Sequence, residues 1–290
     1  AAENYRGITK WAVNVNRVER IAEFMHMAFA QLKHGRPGPV LLETPVDVGD
    51  EEFPDNDFDY EPVKEFKSAA DENDVRDLAK TLLSASFPLL NAGHGILWAQ
   101  AANELRELAE LTQIPVLTTL AGKSVFPENH PLALGTGGNS ATAMVRGFLP
   151  RADFVLGLGT SFSNNHFNIA MPDGTTLGQV TNCPEDLGKH RGVRCGAIGD
   201  AKLVLRQMID EVKRQVGATG RPENTGLKRE IATAKQAFLA EWAPRLQSEE
   251  IPINPYRVIT ELAKAVDVAN TMLTHDSGFP RDQFVPFWEP

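Results

Sequence analysis

The chain has 290 residues, 42% of them hydrophobic, and a formal net charge of -9. That apolar fraction suffices for a buried core, and the acidic balance without any basic run argues against nucleic acid or an anionic membrane surface as the main partner. Two cysteines, Cys183 and Cys195, are too few for a disulfide framework, so a reducing cytoplasm is expected, and no apolar stretch reaches the roughly 18 residues of a membrane span.

Val15, Val18, Ile21, Met25, Phe29 and Leu32 recur at helical spacing and predict an amphipathic helix. Gly35 ends it, Pro37 and Pro39 keep it from resuming, and Val40-Leu41-Leu42 reads as a short strand bounded by Pro45. Residues 47–61 carry Asp47, Asp50, Glu51, Glu52, Asp55, Asp57, Asp59 and Glu61, which is linker composition rather than a glycine-centred calcium loop. A domain boundary is therefore expected there.

Beyond it, helices are predicted near 71–84, 97–112, 140–149 and 200–216, and strands at 87–92, 115–119, 153–158 and 175–182, with a long loop between 119 and 140. This βαβα order implies a doubly wound parallel sheet with helices on both faces, whose ligands lie at the strand C-terminal ends. A helix near 226–247 follows, then one starting at Asn254-Pro255, and Thr271 to Thr274 reads as a strand ending in the polar turn His275-Asp276-Ser277-Gly278. The expected division is 1–48, a linker 49–68, a central domain 69–217, a linker with a helix 218–252, and the start of a further domain at 253–290. The chain opens at Ala1-Ala2-Glu3 and stops at Trp288-Glu289-Pro290 directly after that segment, so both ends are expected to lie inside a longer polypeptide.

The strand ends of the central region are rich in glycine: Asn91-Ala92-Gly93-His94-Gly95, Gly122-Lys123, Gly135-Thr136-Gly137-Gly138 and Gly157-Leu158-Gly159-Thr160-Ser161. Missing side chains let a phosphate approach backbone N–H groups, so a nucleotide is one reading. Tight turns needing positive φ are the other, since no loop completes G-x-G-x-x-G with a following acidic residue. Cys183, His190 and Cys195 match no common metal spacing, and His26, His34 and His130 read as a helix face, a helix end and a loop.

Four stretches carry a family resemblance. They are Lys10-Trp11; Gly35-Arg-Pro-Gly-Pro-Val-Leu-Leu-Glu-Thr-Pro-Val-Asp-Val48; Thr119-Leu-Ala-Gly-Lys-Ser-Val-Phe-Pro-Glu-Asn-His-Pro-Leu-Ala-Leu-Gly135; and Asp276-Ser-Gly278. Together they resemble the thiamine diphosphate (TPP) enzymes of the acetolactate synthase group along the whole chain. The resemblance implies a Rossmann-like central domain at 69–217, flanked by partial thiamine-diphosphate-binding α/β domains: the end of a pyrimidine-binding domain at 1–48 and the head of a diphosphate-binding domain at 253–290. It further implies a 2-keto acid decarboxylase or carboligase, dependent on thiamine diphosphate and Mg2+, as a homodimer or homotetramer.

The family's cofactor-activating glutamate and its Gly-Asp-Gly metal segment match nothing here, so no catalytic or metal-binding residue is assigned to this chain, and the chain alone is expected to be inactive. Gly199-Asp200-Ala201 mimics the metal segment, but Asp200 reads as the N-cap of the helix that follows. Asp276, Ser277 and Gly278 are what the resemblance assigns to the cofactor diphosphate, although Phe279, Pro280 and Arg281 stand where synthases of the group carry Gln and His. Some members hold FAD in the central domain. In this chain Gly93, Gly95, Gly122, Lys123, Gly159, Thr160 and Ser161 are the positions for FAD or another nucleotide, and the lack of an Arg in 160–166 argues against FAD. The alternative is a non-catalytic nucleotide-binding or scaffold domain. An NAD-dependent deacylase would need a catalytic-His loop and zinc cysteines that do not appear.

Overall fold

The structure, a computed structural model, describes residues 2–53, 60–163, 165 and 168–289. Asp55, Asp57 and Asp59 of the acidic run, and Asn164 and His166 of the segment after Gly159, lie outside the described residues. Contacts divide the chain into two compact units, Ala1–Ser68 and Ala69–Pro290.

In the first unit α1 (Ala2–Tyr5), β1 (Trp11–Asn14), α2 (Ile21–Lys33), β2 (Val40–Glu43) and α3 (Val46–Gly49) follow in order. Strands β1 and β2 pair in parallel, from Trp11 opposite Val40 to Asn14 opposite Glu43. The helix expected from Val15 begins at Ile21, after a 3-10 turn at Val18–Arg20, and Val15 and Val18 are buried with Phe24 and Val48 instead. Lys10 Nζ donates to the carbonyls of Gln31, His34 and Arg36, so it ties the end of α2 to the turn before β2. The carbonyls of Gln31 and His34 are at the helix C-terminus, where oxygens lack intrahelical donors and a cation is favourable.

The second unit runs α4 (Glu72–Ser84), β3 (Pro88–Ala92), α5 (His94–Trp98), α6 (Ala102–Thr112), β4 (Val116–Thr118), β5 (Ala133–Thr136), α7 (Ala143–Phe148), β6 (Phe154–Leu158), β7 (Thr176–Thr181), β8 (Cys195–Ile198), α8 (Ala201–Val216), α9 (Thr225–Leu246), α10 (Pro255–Ala265) and α11 (Phe279–Phe284). Its six strands lie in the order β5-β4-β3-β6-β7-β8, every pairing parallel. Counted within the sheet this is the dinucleotide-fold order 3-2-1-4-5-6, and the order reverses between β3 and β6.

Side chains alternate between two buried layers, as a strand period of two demands. Leu90, Val116, Phe154, Leu156 and Leu158 meet Leu78 of α4, Leu105 and Leu108 of α6, and Val204 and Met208 of α8. Leu89, Leu117 and Val155 face the other way, toward Met144, Val145 and Phe148 of α7 and Ile231 and Phe238 of α9. The fold is thus the doubly wound parallel sheet expected, with helices on both faces.

Several local expectations differ. Residues 94–112 form two helices, because Gln100 takes a left-handed φ of 53° between them. Edge strands β5 and β8 are absent from the sequence-based series; each spans four residues and contains a glycine, too little for a period to register. Thr271 to Thr274 is not a strand. A strand is defined by its ladder, and among the described residues none pairs with this segment.

Asp200 does cap α8, its Oδ1 accepting from Lys202 N at 3.1 Å and Leu203 N at 3.2 Å. Asp200→Ala is expected to cost about 1 kcal/mol, read as a lower urea midpoint with an unchanged m-value.

Candidate functional site

The strand ends at the order reversal bring together the turn after β3 and the loop after β6, and their glycines meet backbone to backbone. A Cβ built on Gly93 would lie 2.4 Å from Gly159 O and 2.7 Å from Thr160 Cβ; one on Gly95 would lie 2.7 Å from Gly159 Cα. Gly159 itself has φ +62°, and Gly122 approaches Ala92 O so closely that a Cβ would be at 2.6 Å. Gly93 N donates to Leu158 O (2.8 Å), Gly95 N to Gly159 O (2.9 Å) and Ile96 N to Gly93 O (3.1 Å). Two of the N–H groups at the start of α5, those of Gly95 and Ile96, which a dinucleotide fold offers to a pyrophosphate, are therefore engaged by the chain's own carbonyls.

Beside this junction lies a cleft of about 430 Å³, lined by Asn91, Thr119, Thr160, Phe162, Met171 and Arg191 among others. Of the seven positions singled out for a nucleotide, Thr160 lines it. Gln179, buried on β7, holds that strand end in place: its Nε2 donates to Thr160 O (3.0 Å) and Asp186 O (2.9 Å), and its Oε1 accepts from Gly188 N (2.9 Å). Ser161 Oγ pairs with Ser163 Oγ at 2.6 Å. Arg191 is braced at the cleft by Met171 O and by Asp173 Oδ1 (3.4 Å).

Sequence reasoning included Asn91 in a glycine-rich loop but gave its side chain no role. It sits in a strand that is otherwise apolar, is 3% exposed, lines the cleft, and its Oδ1 has no hydrogen-bond partner. A buried unpaired amide oxygen is costly, and the residue that carries it forms part of the cleft wall. The available signal was one polar residue in Pro88-Leu-Leu-Asn-Ala92 at the strand end where ligands of such sheets bind.

Lys123 is elsewhere. Its Nζ donates to Glu128 Oε1 and Oε2, each at 2.6 Å, and to Trp288 O at 2.7 Å. Burial pushes the ammonium below its ordinary range while Glu128 opposes this, and burial pushes the Glu128 carboxyl up against the pull of Lys123. With three donors and three acceptors, this ammonium is saturated.

The loop His275 to Gly278 is exposed. Ser277 N donates to Asp276 Oδ1 at 2.6 Å, and Gly278, with φ +88°, is the N-cap of α11. The Ser277 hydroxyl and the Gly278 N–H suit a phosphate oxygen, but Asp276 uses the Ser277 N–H and adds a negative charge. By themselves these groups make an incomplete anion site. For magnesium, no cluster of three or more His, Cys, Asp or Glu side chains suited to a metal exists among the described residues. Cys183 Sγ bonds Glu185 Oε2 at 3.0 Å, whereas Cys195 is buried.

Residues 75–208, the sheet with most of its helices, match the family described as thiamine pyrophosphate enzyme, central domain. Over these residues the chain is similar to that central domain. The chain is 29% identical over 290 residues to a probable acetolactate synthase large subunit of Methanococcus aeolicus, covering 93% of this chain and 47% of that protein. It is 30% identical over 262 residues to a glyoxylate carboligase of Escherichia coli O157:H7, covering 89% and 43%. The chain thus spans less than half the length of these relatives. A crystal structure of benzoylformate decarboxylase from Polynucleobacter necessarius has the same fold, with a TM-score of 0.62 and 23% identity over 76% of this chain and 40% of that one. Among the described residues, no helix of this thiamine pyrophosphate enzyme relative is long and apolar enough to cross a membrane.

Two substitutions test the geometry. Asn91→Leu, which removes the unpaired oxygen, is expected to stabilise the ligand-free chain by about 1–3 kcal/mol, seen as a higher melting temperature; a lower one would mean Asn91 is already paired. Gly95→Ala is expected to lower it, because the new Cβ meets Gly159 backbone rather than a movable side chain.

Proposed function

We propose that this chain is the central part, with adjoining pieces, of a thiamine diphosphate and Mg2+ dependent 2-keto acid decarboxylase or carboligase similar to acetolactate synthase. The observation that carries this is the match of the 3-2-1-4-5-6 sheet to the central-domain family, extended on both sides by similarity to acetolactate synthases and a carboligase over 89–93% of the chain. Thiamine diphosphate, when bound, supplies the electron sink that 2-keto acid decarboxylation needs.

This chain's part is to bind and orient. The Ser277 hydroxyl and the Gly278 N–H would hold diphosphate oxygens, with Asp276 shaping the turn. Residues 1–48 are the piece assigned to the pyrimidine side. Cofactor activation and magnesium binding are assigned to groups other than those of this chain. The whole enzyme would be a cytoplasmic homodimer or homotetramer acting on a small 2-keto acid.

A second reading is favoured by Asn91: the central cleft as a nucleotide site, for FAD or a smaller adenine nucleotide, with Asn91 and Thr160 contacting it. The engaged donors at Gly95 and Ile96 weigh against a pyrophosphate seated on α5 in the manner of a dinucleotide.

Calorimetry of the 290-residue chain with thiamine diphosphate and Mg2+ is expected to show no binding as tight as micromolar, and pyruvate should not turn over; micromolar binding would overturn the assignment of the missing groups. In the same chain, FAD, ADP and NAD are to be compared by thermal shift. A ligand at a hundred times its Kd adds about 2.7 kcal/mol, and no shift with any of them removes the nucleotide reading.

A further inference from the structure

Lys123 is one of the positions given to FAD or another nucleotide, with a solvated loop charge as the alternative, and its surroundings show a different use. It follows a 3-10 turn at Leu120–Gly122 whose N-cap, Thr119, accepts from Gly122 N through its side chain. The Lys123 side chain is 16% exposed and that of Glu128 is 7%. Two of the ammonium's three protons go to Glu128, and the third goes across 165 residues of sequence to Trp288 O. Glu128 extends the arrangement, because its own carbonyl accepts from Lys235 Nζ of α9 at 3.3 Å, and Lys235 pairs with Glu289 at 2.7 Å.

Residues 279–289, which include Trp288 and Glu289, are also held at their other end and along their length. Ser140 Oγ donates to Asp282 Oδ1 at 2.7 Å, and Arg281 brackets that carboxylate with Nε and Nη2. Phe287 stacks on Phe238 (centroids 5.5 Å) and meets Trp242 (5.3 Å) and Tyr256 (5.7 Å); Val285 and Trp288 are 3% and 4% exposed. Aromatic burial supplies most of the attraction here but is tolerant of sliding. A saturated ammonium bonded to one main-chain carbonyl is not, since a shift of one residue would take Trp288 O away from one proton of the buried Lys123 ammonium.

We propose that Lys123, oriented by Glu128, is a positioning residue: its bond to Trp288 O sets the register in which residues 279–289 seat on the central unit, and thereby places the loop His275 to Gly278 immediately before α11. Its bearing on thiamine diphosphate rests on the assignment of that loop under Proposed function; the seating itself does not.

Hydrogen exchange followed by mass spectrometry on the whole 290-residue chain tests this. Lys123→Met is expected to raise exchange at 279–289 and 275–278 at least tenfold, with peptides of α6 and α8 unchanged, and Lys123→Arg should recover much of the protection. Because Lys123→Met leaves Glu128 buried without its partner and can unfold the chain, the neutral pair Lys123→Met with Glu128→Gln is the deciding variant. It keeps the core uncharged while Trp288 O loses its donor. Tenfold faster exchange confined to 275–289 supports the proposal, and unchanged exchange there overturns it. Millimolar thiamine diphosphate with Mg2+ forms a separate arm on the wild-type chain: absence of protection at 275–278 removes the cofactor assignment of the loop, while the variant data still decide the seating.

Discussion

The contact on which the central unit depends is the backbone approach of the β3 turn to the β6 loop, sealed by the Gly95 N–H on Gly159 O. A parallel sheet has no hairpin to set its strands, so each neighbour pair is placed by long crossovers. At the one position where those crossovers diverge to opposite sides, helices cannot cover the strand ends. Here the chain covers them with itself, and only residues without a Cβ permit it. The cleft is consequently displaced to the side, against Asn91 and the Thr160 to Ser163 segment, instead of lying on the first turn.

Much of the architecture was legible in the sequence because buried parallel strands are short continuous apolar runs separated by amphipathic helices. Phe154 to Leu158 and the Val204, Leu205, Met208 stripe of α8 are clear cases. The edge strands were not legible, since Ala133-Leu-Gly-Thr136 and Cys195-Gly-Ala-Ile198 are too brief to show a pattern. Thr271 to Thr274 looked like a strand by composition, yet β-structure is a property of pairs, and its propensity alone could not supply a partner.

The candidate site was less legible, for a related reason. A glycine in sequence announces close approach but not what approaches, and Gly93, Gly95, Gly122 and Gly159 turn out to face backbone. A lysine announces a charge but not its counter-charge: the Glu five residues after Lys123 was visible, whereas the carbonyl of Trp288 was not. Asn91 carried the reverse lesson, as a residue unremarkable in composition that becomes informative only once every neighbour in its strand is known to be buried.

The strand order has a consequence for synthesis. In a growing chain β3, β4 and β5 emerge by residue 136 and can pair as one half of the sheet, but β3 then presents an open edge until residues 154–158 arrive. An unpaired edge of five fully buried residues is a template for association with other chains. The same β6 stretch that covers this edge also delivers Gly159 to Gly95, so the backbone contact at the order reversal forms as β3 is paired, and the open edge passes to β6 until residues 176–181 arrive.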